Sequence, residues 1–396
     1  MRITTCWSAR LLGIAALCAA LAAQAQPAAP LKIGVIGPFT GPSSDFGVLM
    51  LQGVQLATEE INTVGGYLGR HIELVIKDDQ GNPDIGLKGS QELVAQGVTA
   101  TLGFCNTGVA QKSLDIFQNA KLPLIIPCAT GTPLTTKYPA PESYIFRTSP
   151  RDAIQAPFVV EEIVRRGWTK VAIFADTTGY GDAGLKDVEA ALATKNLKAV
   201  HVARFALGVK DLREELKAAR DAGADVVFSY TVGSENAVIA NGRKDLKWKV
   251  PQVGAWPLSF PFFINGAKEA AEGAMMAQSF IAEPNNERRA SFLSAYKRKF
   301  NKPMAAAQAY DATYLLTYSL FGIRDGNLAG PQLKAALENI SRVYYGVVAT
   351  YEHPFSLNDK DAISQNMLVM GKISNGVVTF ARLEDAKRNA VVKRKN

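Results

Sequence analysis

The stretch LKIGVIGPFTGPSSDFG, residues 31–47, decides the fold. Its first nine residues form a short, nearly continuous apolar run that stops at a glycine- and proline-rich turn, the pattern of a buried parallel strand. Beyond the turn, Met50, Val54, Ala57, Ile61 and Val64 recur at spacings of four, three, four and three, which predicts one apolar helical stripe, closed by Gly65-Gly66. Working outward, HIELVIKDD (71–79) reads as a second strand and Pro83 opens a second helix. TATLGFC (99–105) is a third strand, a helix passes through Leu114 and Phe117, and LPLIIPC (122–128) is a fourth strand.

A second series starts after Pro150. Strands VAIFAD (171–176), KAVHVARF (198–205), ADVVFSY (224–230) and VPQVGAW (250–256) alternate with helical stretches at 153–166, 183–194, 211–221 and 235–245. Two such series predict an α/β chain with two doubly wound parallel sheets, each covered by helices. After residue 278 helices cluster at 287–300, 306–321 and 331–338. Strands follow at YYGVVATYE (344–352) and NMLVMGKISNGVVTFAR (366–382), the latter broken by a Ser374-Asn375-Gly376 turn.

Composition narrows the class. With 47% hydrophobic residues among 396, the chain builds sizeable cores and is not disordered. A charged fraction of 20% and a mean hydropathy of +0.01 argue against a nucleic-acid coat and a polytopic membrane protein. Arg2 and Arg10 precede LLGIAALCAALAAQA (11–25), which ends in Ala23-Gln24-Ala25. That is the form of a cleavable signal peptide over residues 1–25, and it predicts export to the periplasm. Its removal takes Cys6 and Cys18, leaving Cys105 and Cys128 in a compartment that permits disulfides. The formal charge of +8 falls to about +1 once the leader and the five basic residues of 386–396 are set aside, so no nucleic-acid partner is implied.

Three scattered histidines give no metal-ligand spacing, and Gly34, Gly37 and Gly41 miss the dinucleotide-loop pattern. No cofactor, metal or catalytic set is expected, and the chain does not read as an enzyme. Cys105 and Cys128 end strands that this fold sets side by side, so a disulfide and a pair of buried thiols both remain open.

The phrases IGVIGPFTGPSSDFG (33–47), LATEEINTVGG (56–66), IELVIKDDQGNP (72–83) and GYGDAG (179–184), in this order, resemble the type I periplasmic solute-binding proteins of branched-chain amino acid ABC importers, leucine/isoleucine/valine-binding-protein-like. The resemblance implies a Venus-flytrap of two Rossmann-like lobes joined by a three-segment hinge. Lobe 1 would hold 31–148 and 279–364, lobe 2 would hold 149–278 and 365–382, and 383–396 would be a frayed basic tail. It also implies a monomer that captures a small carboxylate, a branched-chain amino acid or a related, possibly aromatic, acid, and delivers it to an ABC permease. A ligand-sensing module for a receptor and an exported enzyme are the competing expectations.

Carried over by position, Thr107, with Asn106 beside it, grips the ligand carboxylate from lobe 1, together with Cys128 through its backbone and Thr130 through backbone and hydroxyl. Phe46 covers the ligand from lobe 1, and Tyr180 closes over it from lobe 2. Tyr230 and Thr231 end a second-lobe strand at the cleft. Trp256 stands where amino-acid binders carry a glutamate for the ligand ammonium. Either another acid, Asp176 or Glu235, supplies that charge, or the ligand has no α-amino group. The plainer readings are helix capping for Thr107 and Thr130, packing on lobe 1 for Phe46, and burial within lobe 2 for Trp256. The family's usual disulfide joins a different pair, and Gly81 occupies its expected partner position.

Overall fold

The computed structural model describes residues 29–300 and 305–387 and the backbone of 392–393. The leader reading at 1–25 lies outside the described residues. In the first sheet, strands β1 (Leu31–Gly37), β2 (Ile72–Asp78), β3 (Ala100–Gly103), β4 (Leu124–Ile126) and β5 (Ile145–Arg147) lie in the order β2-β1-β3-β4-β5, all parallel. Helices α1 (Ser44–Thr63), α2 (Pro83–Ala95) and α3 (Thr107–Asn119) connect them, and a short α4 (Pro133–Thr136) follows β4. The central strands are apolar on both faces, as a sheet covered on both sides requires.

The second sheet has the order β14-β13-β10-β9-β8-β6-β7. Its parallel part is β6 (Val171–Asp176), β7 (Ala199–Phe205), β8 (Val226–Tyr230), β9 (Gln252–Gly254) and β10 (Met275–Gln278). They alternate with α5 (Asp152–Arg165), α6 (Gly179–Ala193), α7 (Arg213–Asp221), α8 (Glu235–Asp245) and α9 (Pro261–Ala267), α5 leading into β6. The chain then returns to the first lobe through α10 (Glu287–Lys297), α11 (Ala306–Leu320) and α12 (Gly330–Glu338). Tyr296 of α10 donates to Gln52 (2.6 Å), and Tyr314 of α11 donates to Glu60 (2.8 Å), tying this cluster to α1. Strands β13 (Val369–Ser374) and β14 (Val377–Phe380) finish the second sheet as an antiparallel hairpin. Asn375 and Gly376 both take positive φ, as the tight turn predicted there demands.

The chain therefore passes between the two sheets three times. The first and third passages run side by side: Arg147 N–H donates to Lys360 O (2.9 Å) and Ala362 N–H to Arg147 O (2.8 Å). Gln308 on α11 joins the first to the second, accepting from Thr148 Oγ1 (3.4 Å) and donating to Ser279 Oγ (2.9 Å). The Arg147 side chain is fully buried. Its Nε meets Asp361 Oδ1 at 2.6 Å, Nη1 meets the carbonyls of Thr130 and Gly131 at 2.8 Å, and Nη2 meets Thr135 Oγ1 at 2.6 Å.

Three local expectations change. VPQVGAW is a strand only over Gln252–Gly254, and Trp256 starts a 3-10 turn with Pro257. YYGVVATYE is two short antiparallel strands, β11 (Tyr344–Tyr345) and β12 (Thr350–Tyr351), because Asp311 of α11 accepts from the N–H groups of Val347 and Val348 (both 2.8 Å) and folds the segment back. The tail is not wholly frayed: Leu383–Ala386 forms a helical turn (α13), and β15 (Val392–Lys393) runs parallel to β12.

Candidate ligand-binding cleft

The loops at the carboxyl ends of the two sheets meet, which is where open parallel sheets bind ligands. On the first lobe, β3 runs into Phe104, whose φ of +67° is unusual for a side-chain-bearing residue, then Cys105, Asn106 and Thr107 at the start of α3. The loop after β4 carries Pro127, Cys128, Thr130 and Gly131. Cys105 and Cys128 form a disulfide, which settles the question their spacing left open.

Neither Asn106 nor Thr107 caps α3. Thr107 Oγ1 accepts from Gly131 N–H (3.2 Å), and Asn106 Nδ2 donates to Ser43 Oγ (3.0 Å), leaving its buried Oδ1 without a partner. Only glycine fits at 131, since a Cβ there would lie 2.2 Å from Thr107 Cγ2. The Thr130 carbonyl accepts from Arg147 Nη1 and from Asp152 N–H (2.9 Å), so the loop is fixed from beneath.

The second lobe contributes Tyr180 from the first turn of α6 and Tyr230 from the end of β8. Their rings lie 4.8 Å apart. Both are buried; the Tyr180 hydroxyl lies beside those of Tyr230 and Thr130 and the Tyr230 hydroxyl beside the Asp152 carboxylate, none of them in well-formed hydrogen-bond geometry. Burial, then the charge of Asp152, pushes both hydroxyls well above their ordinary pKa, so they are neutral donors near pH 7.

Asp152 itself begins α5, directly after the first passage. Its Oδ1 accepts from Gln155 Nε2 (3.1 Å) and its Oδ2 has no partner. Burial drives its carboxyl up to about 7, against the nearby hydroxyls of Tyr230 and Thr130. Sequence reasoning missed Asp152, although an acid opening the first helix beyond Pro150 was visible in SPRDA (149–153).

The two acids proposed from sequence fare differently. Asp176 is committed to its own lobe: Oδ1 accepts from Thr178 N–H and Oγ1 (2.9 and 2.6 Å), and Oδ2 from Val232 N–H (3.0 Å). Glu235 Oε1 accepts from Gly208 N–H (2.6 Å), while its Oε2 is unpartnered.

Phe46 does not simply pack on its own lobe. Its ring lies 4.3 Å from Phe260 and 5.2 Å from Phe262, both on the second lobe, and Trp256 meets Phe260 edge-on at 5.4 Å. Phe260 and Phe262 complete an aromatic clasp that sequence reasoning did not single out. Trp256 N–H donates to Gln155 Oε1 (3.0 Å), the same amide that steadies Asp152. Beside the clasp the lobes touch through backbone: a Cβ on Gly179 would lie 3.2 Å from Gly108 Cα and 2.5 Å from Gln111 Oε1. Thr132 donates to Asp187 (2.6 Å) across the same seam. Thus Thr130, Tyr180 and Tyr230 gather around Asp152. Thr107 and Cys128 support that cluster from the neighbouring strand ends, Phe46 and Trp256 join through Phe260, and Asn106 turns toward Ser43.

Two parallel-sheet lobes, three passages and polar groups buried where their loops meet define a two-lobed solute-binding fold. The chain belongs to the periplasmic binding protein family, whose model matches residues 30–376. It is 30% identical over 252 residues to a Leu/Ile/Val-binding protein homolog 3 of Brucella melitensis, covering 63% of this chain and 67% of that protein. In fold it is similar to a type 1 periplasmic binding protein of Bordetella pertussis (TM-score 0.81, 23% identity, 89% and 100% of the two chains). It is also similar to an ABC-transporter solute-binding protein of R. palustris in complex with benzoate (TM-score 0.77, 18% identity, 92% and 98%).

Proposed function

We propose that the chain is the extracytoplasmic substrate-binding protein of an ABC importer, acting as a non-catalytic monomer that hands a small apolar carboxylate to a permease. In this reading residues 1–25 are removed on export. Lobe 1 comprises 31–148 and 279–364, and lobe 2 comprises 149–278 and 365–382. The observation that carries the ligand class is the pair of buried hydroxyls of Tyr180 and Tyr230, gathered with Thr130 and Asp152 but not in well-formed hydrogen bonds with them. Two neutral donors poorly aligned with the acceptors around them gain when better-placed acceptor oxygens arrive, and a ligand carboxylate supplies them.

Within that class, Asp152 favours an α-amino acid. Its free Oδ2 offers the negative partner that Trp256 does not, and the named function of the Brucella relative points the same way. An aromatic acid is the second reading, favoured by the clasp of Phe46, Trp256, Phe260 and Phe262 and by the benzoate complex of the R. palustris protein. A thermal-shift panel of leucine, isoleucine, valine, benzoate and 4-hydroxybenzoate separates them. A ligand at a hundred times its Kd adds about 2.7 kcal/mol. Stabilisation by the aliphatic amino acids, lost in Asp152→Asn, supports the first reading. Stabilisation by benzoate alone supports the second, and no response to any member refutes the carboxylate class.

A further inference from the structure

Strands β3 and β4 pair with Thr101 opposite Leu124 and Leu102 opposite Ile125, an offset of 23 residues. Continued past the strand ends, that offset sets Cys105 opposite Cys128, whose sequence separation is 23. The disulfide therefore stands where the next rungs of the ladder belong. Those rungs are absent for chemical reasons: Pro127 has no N–H, and Phe104 turns out of the strand with a left-handed backbone. At the cysteines the Cα atoms are 4.6 Å apart, close to the separation of hydrogen-bonded strands, so the bond holds the two loops at sheet spacing after the sheet has ended. Among the described residues, two hydrogen bonds join the loops around it, Ala129 N–H to Phe104 O (2.9 Å) and Gly131 N–H to Thr107 Oγ1 (3.2 Å).

We propose that the Cys105–Cys128 disulfide is a positioning element for the ligand: it fixes the gap between the Thr107 and Thr130 loops, and opening it lowers affinity while the lobe stays folded. The proposal rests on the cleft reading above. Beneath the loops, Leu124 and Ile126 are fully buried in a core cluster that contains neither cysteine. Freed loops must be ordered again by each binding event, and this cost falls on affinity. Opening the bond is a thiol–disulfide exchange with a dithiol reductant. One thiolate attacks a cysteine sulfur, and the resulting mixed disulfide is resolved by the reductant's second thiolate. The reductant leaves as a cyclic disulfide, having passed two electrons and two protons to give two cysteine thiols.

The test titrates the full-length exported protein with L-leucine, L-isoleucine and benzoate by calorimetry. Each probe that binds is repeated after treatment with dithiothreitol and on the Cys105→Ala/Cys128→Ala double variant. The expected result is a Kd raised tenfold or more, carried mainly by faster dissociation, with far-UV circular dichroism and a cooperative melt preserved and affinity restored on reoxidation of the native protein. A folded, reduced protein with unchanged Kd overturns the proposal. So does loss of cooperative melting in both the reduced protein and the double variant, which makes the bond a folding element instead. If no probe binds the oxidised protein, the ligand reading has failed separately and hydrogen exchange decides. Reduction must then accelerate amides at 104–108 and 128–132 beyond the rest of the first sheet, and a uniform change overturns the proposal.

Discussion

The two walls of the cleft are built on opposite principles. On the first lobe, the Thr107 and Thr130 loops are joined by a disulfide and two hydrogen bonds, and the buried Arg147 guanidinium fixes the Thr130 and Gly131 carbonyls from beneath. On the second lobe, Tyr180 and Tyr230 are held by packing and Asp152 by Gln155, and a buried oxygen of each makes no well-formed hydrogen bond. A wall tied together in this way, although it too leaves Asn106 Oδ1 unpartnered, contributes shape and stability. A wall left unsatisfied is poised to gain from whatever arrives. Damage to the buried support beneath the first wall should appear mainly in melting, while opening the disulfide at its rim or damaging the second wall should appear mainly in affinity.

Arg147→Met is the strongest way to break this contrast. It removes one member of a buried ion pair and four hydrogen bonds, an expected loss of about 3–5 kcal/mol. At roughly 2–4 °C per kcal/mol for a chain of this order, scanning calorimetry should show a fall of about 10 °C. A change under 2 °C would mean the first wall is not held from beneath.

Next come Tyr180→Phe and Tyr230→Phe. Losing a hydrogen bond to a charged ligand is worth about 1.5–3 kcal/mol, so each should weaken binding about ten- to hundredfold. The ligand-free melting point should change little, because the buried hydroxyl removed makes no well-formed hydrogen bond. A lower melting point with intact affinity would reverse the assignment of the two walls.

The third test uses pH. Burial raises the Asp152 carboxyl from its ordinary value of 3.8 to about 7 in the folded state, so the native state binds more protons than the unfolded state between those values. Stability from this group is therefore greatest below pH 4, declines as pH rises toward 7, and is level above it. Between pH 5 and 7 the decline is about 2 kcal/mol. Asp79, also near 7, and Asp311, near 6, add slopes of the same sign. Asp152→Asn should flatten the Tm-against-pH curve without abolishing its slope, and an unchanged curve would show that Asp152 does not titrate in this window.

Gly179→Ala should have the smallest effect. The new methyl meets Gly108 Cα and the end of the Gln111 side chain, so closure is hindered by about 1 kcal/mol and affinity falls roughly fivefold. If affinity is unchanged, the lobes do not need this approach to hold ligand.

Most of the fold was written in local periodicity. The apolar runs at 31–37 and 171–176 and the helical stripe through Met50 and Ile61 report burial directly, because each residue's environment repeats with the element's own period. The clasp was only half legible. Phe46 could be matched by position, but its partners Phe260 and Phe262 lie more than 200 residues away, at the start of a helix (α9) too short to show a periodicity. Asp152 was overlooked for a related reason: an acid in the first turn of a helix ordinarily looks solvated and dipole-stabilised, and only the lobe closing over α5 makes it buried. The disulfide lay between these cases. Its offset of 23 matches the β3–β4 register, but that register is known only once the strands are paired.

The three passages between the lobes carry a mechanical consequence. Two bodies joined by one flexible segment can swing and spin about it in every direction. Joined by three that lie side by side, two of them locked together through Arg147 and Ala362 and the third tethered through Gln308, they keep little more than one freedom, a rotation about the line the segments share. Every closing stroke then traces the same arc. Phe46 lands on Phe260, and Gly179 slides past Gly108, without any search over orientations, as a door meets its frame because its pins share an axis.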